Sequence, residues 1–508
     1  MDRLWRRLAR TSDRRLLAMA AVAVFSTQLA FTSAIRFYVV PHLTPAAHWR
    51  YGLQRASDSE FFQTEAQHIT AEMRSRGWAA LTDEVYEGLS HAKILASIYY
   101  VTGSDHPFSV YAGNALLSVV SASLLFAVMR LGGLGVGAAC GLSVLLASGP
   151  LFLFVHSELL REPFIVPTFL SHVLGLMLVC RPRSQESALG FAGRLLAGAV
   201  LVCVGFVGAS TFRPYLMLPM VAALLTAAAA FATLPPLVRA TTRPGWPQLG
   251  TMAATMTVIL GFYVLPQLRG VQQYTEQSSA EKEAQLASAS EGMRASLRAK
   301  IQHSADASGE ATQALEREDL LVPHVCSVQW RTSKALPAQI DRKLESLACA
   351  RQDFLRFCDP ELMATRADRN CDYANLDSAS AVLWHVPFAL QFGLLAPYPN
   401  MWFDSFGGGG TGLRRVGYVV DGLVAYALLP GMLWLVLFSA RRRPDLLAIL
   451  LGLLAMTTVY ALAVPSQFIL SRMRLSMFLA VLALCAIGWG GFYRAIVGRL
   501  DAHAPTTS

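Results

Sequence analysis

Asp58, Phe62 and Ala66 recur at intervals of four in the stretch DSEFFQTEA, residues 58–66. Residues four apart share one face of an α-helix, so the spacing predicts a carboxylate, a ring and a methyl in one row. Glu65 lies beside that row and Glu60 off it. An acid fixed in this way can take the proton from a hydroxyl as it attacks an electrophilic carbon. The plainer reading is a solvated helix start, because acids are favoured in a first turn. Four other short stretches carry charges able to act with it. LSHAKIL (89–95) holds His91 and Lys93, and SELLRE (157–162) holds Glu158, Arg161 and Glu162. RPY (213–215) holds Arg213, and SRMR (471–474) holds Arg472 and Arg474. Guanidinium groups bind phosphate in bidentate fashion. The acids and cations together suit group transfer from a phosphate leaving group.

The elements that must position these residues are membrane spans. Of 508 residues 54% are hydrophobic and only 15% charged, against about 25% charged in soluble chains. Mean hydropathy is +0.41. Several apolar runs reach the roughly 18–20 residues that cross a bilayer. The predicted fold is an all-α polytopic membrane protein with about ten transmembrane helices. They fall near Leu16–Val40, Phe108–Val128, Leu134–Val155, Phe164–Cys180, Leu195–Phe212, Leu216–Leu234, Met252–Leu265, Val416–Phe438, Leu446–Val464 and Leu475–Phe492. The net charge of +9 is mostly topological. Arginines crowd the N-terminus and recur at Arg130, Arg181, Arg183, Arg239, Arg243, Arg441–Arg443, Arg494 and Arg499, and such residues mark the cytoplasmic side. Both termini are then cytoplasmic. No soluble basic face suggests a nucleic-acid partner.

This topology divides the chain into an N-terminal transmembrane module (1–268), an extracytoplasmic segment (269–381) and a C-terminal module (382–508). The first module contains a helical outer loop, 41–107. Val382–Pro397 is short and contains His385 and Pro387. A crossing there would put Arg441–Arg443 outside, so it reads as an interfacial helix at the start of the C-terminal module. Gly407–Gly410 lacks the Gly-Lys-Ser/Thr of a phosphate loop and reads as a flexible connection or a mobile loop. Cys326, Cys349, Cys358 and Cys371 share the extracytoplasmic segment. Two disulfides are expected there, with three pairings open. Zinc is the weaker reading, since no CxxC pair is present.

The acidic sites and arginines all fall on the outer side in this topology. Outer arginines beside spans run against the usual charge bias, and an anionic ligand accounts for them. Salt bridges to the outer acids, or anchoring to lipid phosphate, are the alternatives. In its Asp58, Phe62 and Ala66 the first loop resembles the D-x-x-x-[YF]-x-x-x-A start of the GT-C superfamily of polyprenyl-phosphate-dependent glycosyltransferases. Protein O-mannosyltransferases, aminoarabinose transferases and lipopolysaccharide-core transferases belong to that branch. SELLRE resembles the family's second acidic site, RPY a recurrent basic turn, and SRMRLSMFLAVLALCAIG the arginine-bearing start of a late span. The chain departs in having Phe62 for the usual Tyr, in spreading the second acid over Glu158 and Glu162, and in lacking prolines around LSHAKIL.

The resemblance implies an inverting transferase on the extracytoplasmic face of an inner or plasma membrane. Its donor would be a polyprenyl-phosphate-linked sugar and its acceptor a lipid, glycan or protein. Asp58 and Glu158 would be catalytic; Arg213, Arg472, Arg474, Lys93, His91 and Arg161 would hold the donor phosphate. No cofactor is required, though the superfamily admits a divalent metal. Three rival classes remain. A flippase-type transporter would place ionisable groups inside the spans, and Asp421 and His172 are its main candidates. A polysaccharide polymerase or ligase would also use outer arginines. A scaffold would use the cysteine-bearing segment to bind partners.

Overall fold

A computed structural model describes residues 11–43, 58–82, 89–181, 186–213, 216–237, 245–264, 328–333, 335–355, 358, 371–396, 398–399, 412–439 and 441–502. The described residues are helical apart from turns and two isolated bridges. Among the described residues seven helices are long and apolar enough to cross a membrane: Arg14–His42, Phe108–Leu131, Glu162–Cys180, Ala188–Phe212, Val419–Leu437, Pro444–Ala463 and Leu475–Val497. An eighth candidate is broken. Val136–Ala147 and Pro150–His156 meet at a 57° bend, where sequence reading predicted one straight span over 134–155. Gly149 and Pro150 explain the break, because proline cannot donate into the preceding turn. Asp421 from another span accepts a hydrogen bond from the Leu151 N–H at 2.6 Å, just past the bend. Met217–Leu237 is helical as expected, but its apolar stretch is only Pro219–Pro235. The predicted 252–265 span begins earlier, as Trp246–Val258, and continues with wider turns over Ile259–Val264.

The chain forms two compact units. The first comprises Met1–Thr257, Pro387–Ala461 and Gln467–Ser508. Its helices pack where side chains vanish. A Cβ at Gly205 would lie 2.5 Å from His172 N and from Thr168 O, so Ala188–Phe212 and Glu162–Cys180 meet backbone to backbone. Such contacts suit helices in lipid, where close van der Waals packing replaces hydrophobic drive.

Contacts within this unit also order the span ends. The turn after Phe108–Leu131 receives Arg494 on Gly133 O (2.5 Å) and Arg443 on Leu131 O (3.5 Å). At the other end of the same helix, Asn114 donates to His156 O and Glu158 O at 3.1 and 3.2 Å. The broken helix pair therefore runs from the arginine-rich end to the end carrying Glu158. Gln248 bonds Arg181 O at 2.5 Å, which places the start of Trp246–Val258 beside the end of Glu162–Cys180.

The second unit comprises Val258–Val386 and Leu462–Ser466. Its centre is Arg351, on the helix Ala338–Leu355. The buried guanidinium pairs with Asp372 at 2.7 Å and also bonds Ala374 O, Asp372 O and Leu462 O. Asp372 takes a further contact from His385 Nε2 at 2.6 Å. Asp372 N donates to Pro465 O at 3.0 Å, and Cys371 bridges to Ser466. Cys358 and Cys371 form a disulfide with an S–S distance of 2.01 Å. Cys349 is also disulfide-bonded; Cys326 and Gly407–Gly410 lie outside the described residues. The helix Ala379–Leu395 covers the stretch read as interfacial. Leu383, Trp384 and Phe388 are exposed along it.

Candidate functional site

The first-loop helix runs Asp58–Arg76. Its acids lie at the N-terminal end and Arg74 and Arg76 in the last turn, the order that the helix dipole favours. It stops at Gly77, whose φ of 66° few other residues adopt. Phe62, Ala66, Ile69 and Met73 are buried against Ala92, Leu95, Ala96 and Tyr99 of the helix Ser90–Thr102 and against Leu159. Phe62 and Ala66, spaced by four, thus face protein. Gln63 ties the pair of helices together, accepting from Tyr99 OH at 2.5 Å and donating to Asp105 O at 2.8 Å. Asp58 is the first residue of the helix, and its side chain lies outside the described part of the structure. Glu60 is half-buried.

Ser59, the next residue, is fully buried and locates the helix start. Its hydroxyl donates to Glu158 Oε2 at 2.6 Å and accepts from Leu159 N at 3.2 Å. Glu158 also pairs with Arg36 at 2.7 Å. Arg36 lies in the wider-turned end of the first span, Ile35–Leu43, and donates to Ser157 O at 2.7 and 3.1 Å. The turn 157–162 is therefore gripped from three sides, by the first span, the first-loop helix and Asn114. Sequence reasoning missed Arg36, Ser59 and Asn114. An arginine inside an apolar run was the available signal, since such residues need a buried partner.

Glu162 lies at the other end of the same turn. Arg213, which follows Ala188–Phe212, pairs tightly with its Oε1, and Arg472 Nε approaches the same oxygen at 2.9 Å. Glu162 Oε2 is buried and has no hydrogen-bond partner among the described residues. Arg161 donates to Phe212 O at 3.2 Å and lies over the Phe62 ring at 4.9 Å. His91 stands edge-on to Phe62 at 4.7 Å and to Phe164 at 5.6 Å. Its Nε2 is 3.3 Å from Leu159 O, so that nitrogen carries the hydrogen. Nδ1 is then a bare acceptor, buried without a partner among the described residues. Lys93, two positions on, is half-buried and points away from the His91 face, since residues two apart do not share one.

The structure thus brings together Glu158, Arg161, Glu162, Arg213, Arg472, His91 and the start of the Asp58 helix. It does not add Arg474. That guanidinium donates to Phe392 O (3.3 Å), Gly393 O and Ala396 O, and lies 4.8 Å over Phe478. These carbonyls lie at the end of the Ala379–Leu395 helix, where intrahelical donors run out; Phe392 O also accepts from Ala396 N at 3.2 Å. Among the described residues no group of three His, Cys, Asp or Glu side chains could hold a metal ion.

Burial pushes His91 down to about 4; the Leu159 carbonyl opposes the shift and Arg161 adds to it. The folded protein thus holds a neutral ring, while an unfolded histidine titrates near 6.5. Between about pH 6.5 and 4 the unfolded chain binds a proton that the folded one refuses, so stability falls as pH falls through this window. Thermal unfolding against pH should show that slope, and His91→Gln should flatten it. An unchanged slope in the variant would assign it to other groups.

No protein-family model, characterised protein or solved structure matches the chain.

Proposed function

We propose that this chain is an integral membrane glycosyltransferase of the GT-C kind. It moves a sugar from a polyprenyl-phosphate donor to a lipid, glycan or protein acceptor, with inversion. One observation carries the reading: the first-loop helix starts against the 157–162 turn, where Ser59 meets Glu158, and that same turn holds Arg213 and Arg472 through Glu162. Asp58 stands one residue before Ser59, so its backbone is placed beside the second acidic site. In this reading Asp58 is the general base. Glu158, held by Arg36, fixes the floor of the site, and the basic residues stabilise the charge that grows on the leaving phosphate. Nucleotide sugars stay in the cytoplasm, so an outer site draws on lipid-linked sugar.

The topology belongs to the same proposal: ten spans, both termini cytoplasmic and residues 269–381 outside, in an inner or plasma membrane. It is supported by Arg130, Arg443 and Arg494 gathering at the span ends opposite to Glu158. Between Ser184 and Ser308 the described residues include the helices Ala188–Phe212, Met217–Leu237 and Trp246–Val258, the last continued by Ile259–Val264. Cysteines placed at these two positions should label from opposite sides of the membrane. Labelling from one side would remove a crossing.

The direct test supplies purified protein in proteoliposomes with radiolabelled polyprenyl-phosphate hexoses or pentoses and an extract of envelope lipids and glycans. Label should pass covalently to an acceptor. A transporter reading has one observation of its own, the carboxylate of Asp421 within a span beside a broken helix. It predicts movement of the lipid-linked sugar between leaflets with no transfer of label.

A further inference from the structure

At the far end of the Glu162–Cys180 helix from Glu162, two arginines are tied firmly to the protein. Arg194, near the start of Ala188–Phe212, pairs with Glu186 at 3.1 Å and donates to Leu178 O and to Arg181 O (3.0 Å). Arg443 pairs with the buried Asp445 at 2.9 Å. Arg181, directly after the span, differs. It is half-buried, and among the described residues its guanidinium has no hydrogen bond or ion pair. Nor is it needed to close the helix end, because Arg194 and Gln248 already donate to the carbonyls there. The charges it feels are Arg443 and Arg194 against Glu186 and Asp445, so with Arg181 itself one positive charge is left over. Burial first, then Arg443 and Arg194, hold its pKa below the usual arginine value, yet an arginine keeps its proton at any physiological pH. A second idle donor is close by. Arg194 Nη2 is buried without a partner among the described residues, on a side chain only 3% exposed, and Nη1 of the same guanidinium touches the Arg181 backbone.

We infer that Arg181 and Arg194 Nη2 form a seat for a phosphodiester at the joined ends of Glu162–Cys180 and Ala188–Phe212. The planar Arg181 fork matches two phosphate oxygens at once, and Arg194 Nη2 adds a third donor. A phosphodiester brings the single negative charge that this cluster lacks. A phospholipid headgroup and a soluble phosphate ester share that chemistry. The seat lies at the other end of the helix from the 157–162 turn, so it stands without the transferase reading.

Full-length protein, delipidated in dodecyl maltoside, would be titrated with phosphatidylglycerol, with diacylglycerol of the same chains, with dimethyl phosphate and with chloride, at matched ionic strength. Thermal unfolding is the readout, since a ligand of the folded state raises its stability. Phosphatidylglycerol should stabilise the wild type and diacylglycerol should not. Stabilisation by dimethyl phosphate as well would make the seat one for phosphate esters in general; its absence would assign a lipid headgroup. Without ligand, Arg181→Gln should unfold at or above the wild-type temperature, because the side chain holds nothing in the protein and is repelled by Arg443 and Arg194. With ligand it should need at least ~10-fold more phosphodiester, the loss of a charge-assisted contact. Arg181→Lys keeps the charge without the fork and should fall between. Arg194→Gln should unfold lower without any ligand, since it loses Glu186 and the helix-end carbonyls. In the wild type, phenylglyoxal should modify Arg181, and the stabilising phosphodiester should protect it. No stabilisation of the wild type by either phosphodiester, or an equal effect of chloride, would overturn the assignment. So would a normal response by Arg181→Gln, its destabilisation without ligand, or its failure to fold.

Discussion

Asp58→Asn is expected to lower sugar transfer by roughly two to four powers of ten, the usual worth of a general base, with expression and unfolding unchanged. The substitution keeps the side chain's size and its place at the head of the helix. It removes the negative charge and with it the capacity to take a proton. Ser59, one residue on, is buried with its hydroxyl on Glu158, so the helix start is pinned independently of Asp58. Glu60→Gln should have a milder effect, because Glu60 lies off the row of Phe62 and Ala66, which are buried. Initial rates of transfer from a polyprenyl-phosphate sugar in proteoliposomes decide the matter. A dead Glu60→Gln beside an active Asp58→Asn would make Glu60 the base. Full activity in both would end the transferase reading in favour of a transporter or a scaffold.

Breaking the Arg36–Glu158 pair should have the largest effect on stability. Both side chains are essentially buried, at 0% and 5% exposure, and 2.7 Å apart. Removing one partner from a buried pair costs about 3–5 kcal/mol, because the other charge stays behind without compensation. Glu158→Ala also frees the Ser59 hydroxyl. Arg36→Ala should cost a similar amount. The double variant Arg36→Met/Glu158→Leu should recover much of the loss, since no buried charge then remains. Unfolding in detergent, followed by tryptophan fluorescence, would measure all three. Equal losses in the double and single variants would mean that packing, and not the stranded charge, sets the cost.

Much of the helical layout was legible in the sequence because apolar runs of span length have few other uses. The less apolar or interrupted spans were harder to read. Val136–His156 has span length, but only packing shows that Gly149 and Pro150 bend it and that Asp421 meets the broken end. The candidate site was readable as a set of charges and not as a set of pairings. Periodicity placed Phe62 and Ala66 on one face without saying what that face would meet. Arg213, Arg472 and Arg474 all looked like outer arginines near spans. Only the fold separates a buried partner of Glu162, a half-exposed one and a cap on a helix end. Arg36 was hidden by its own surroundings, since its function depends on Glu158, 122 positions away in the chain.

The second unit is discontinuous, and this bears on how the protein is made. Its last piece, Leu462–Ser466, is synthesised after Pro387–Ala461 of the first unit. Arg351 waits for the Leu462 carbonyl, Asp372 for Pro465 and Cys371 for its bridge to Ser466. The Cys358–Cys371 bond can close as soon as both thiols reach an oxidant, but the unit around it stays unfinished until the ribosome has passed residue 466. A chain stalled or truncated before that point would carry an oxidised yet incompletely folded segment, a distinct substrate for quality-control proteases.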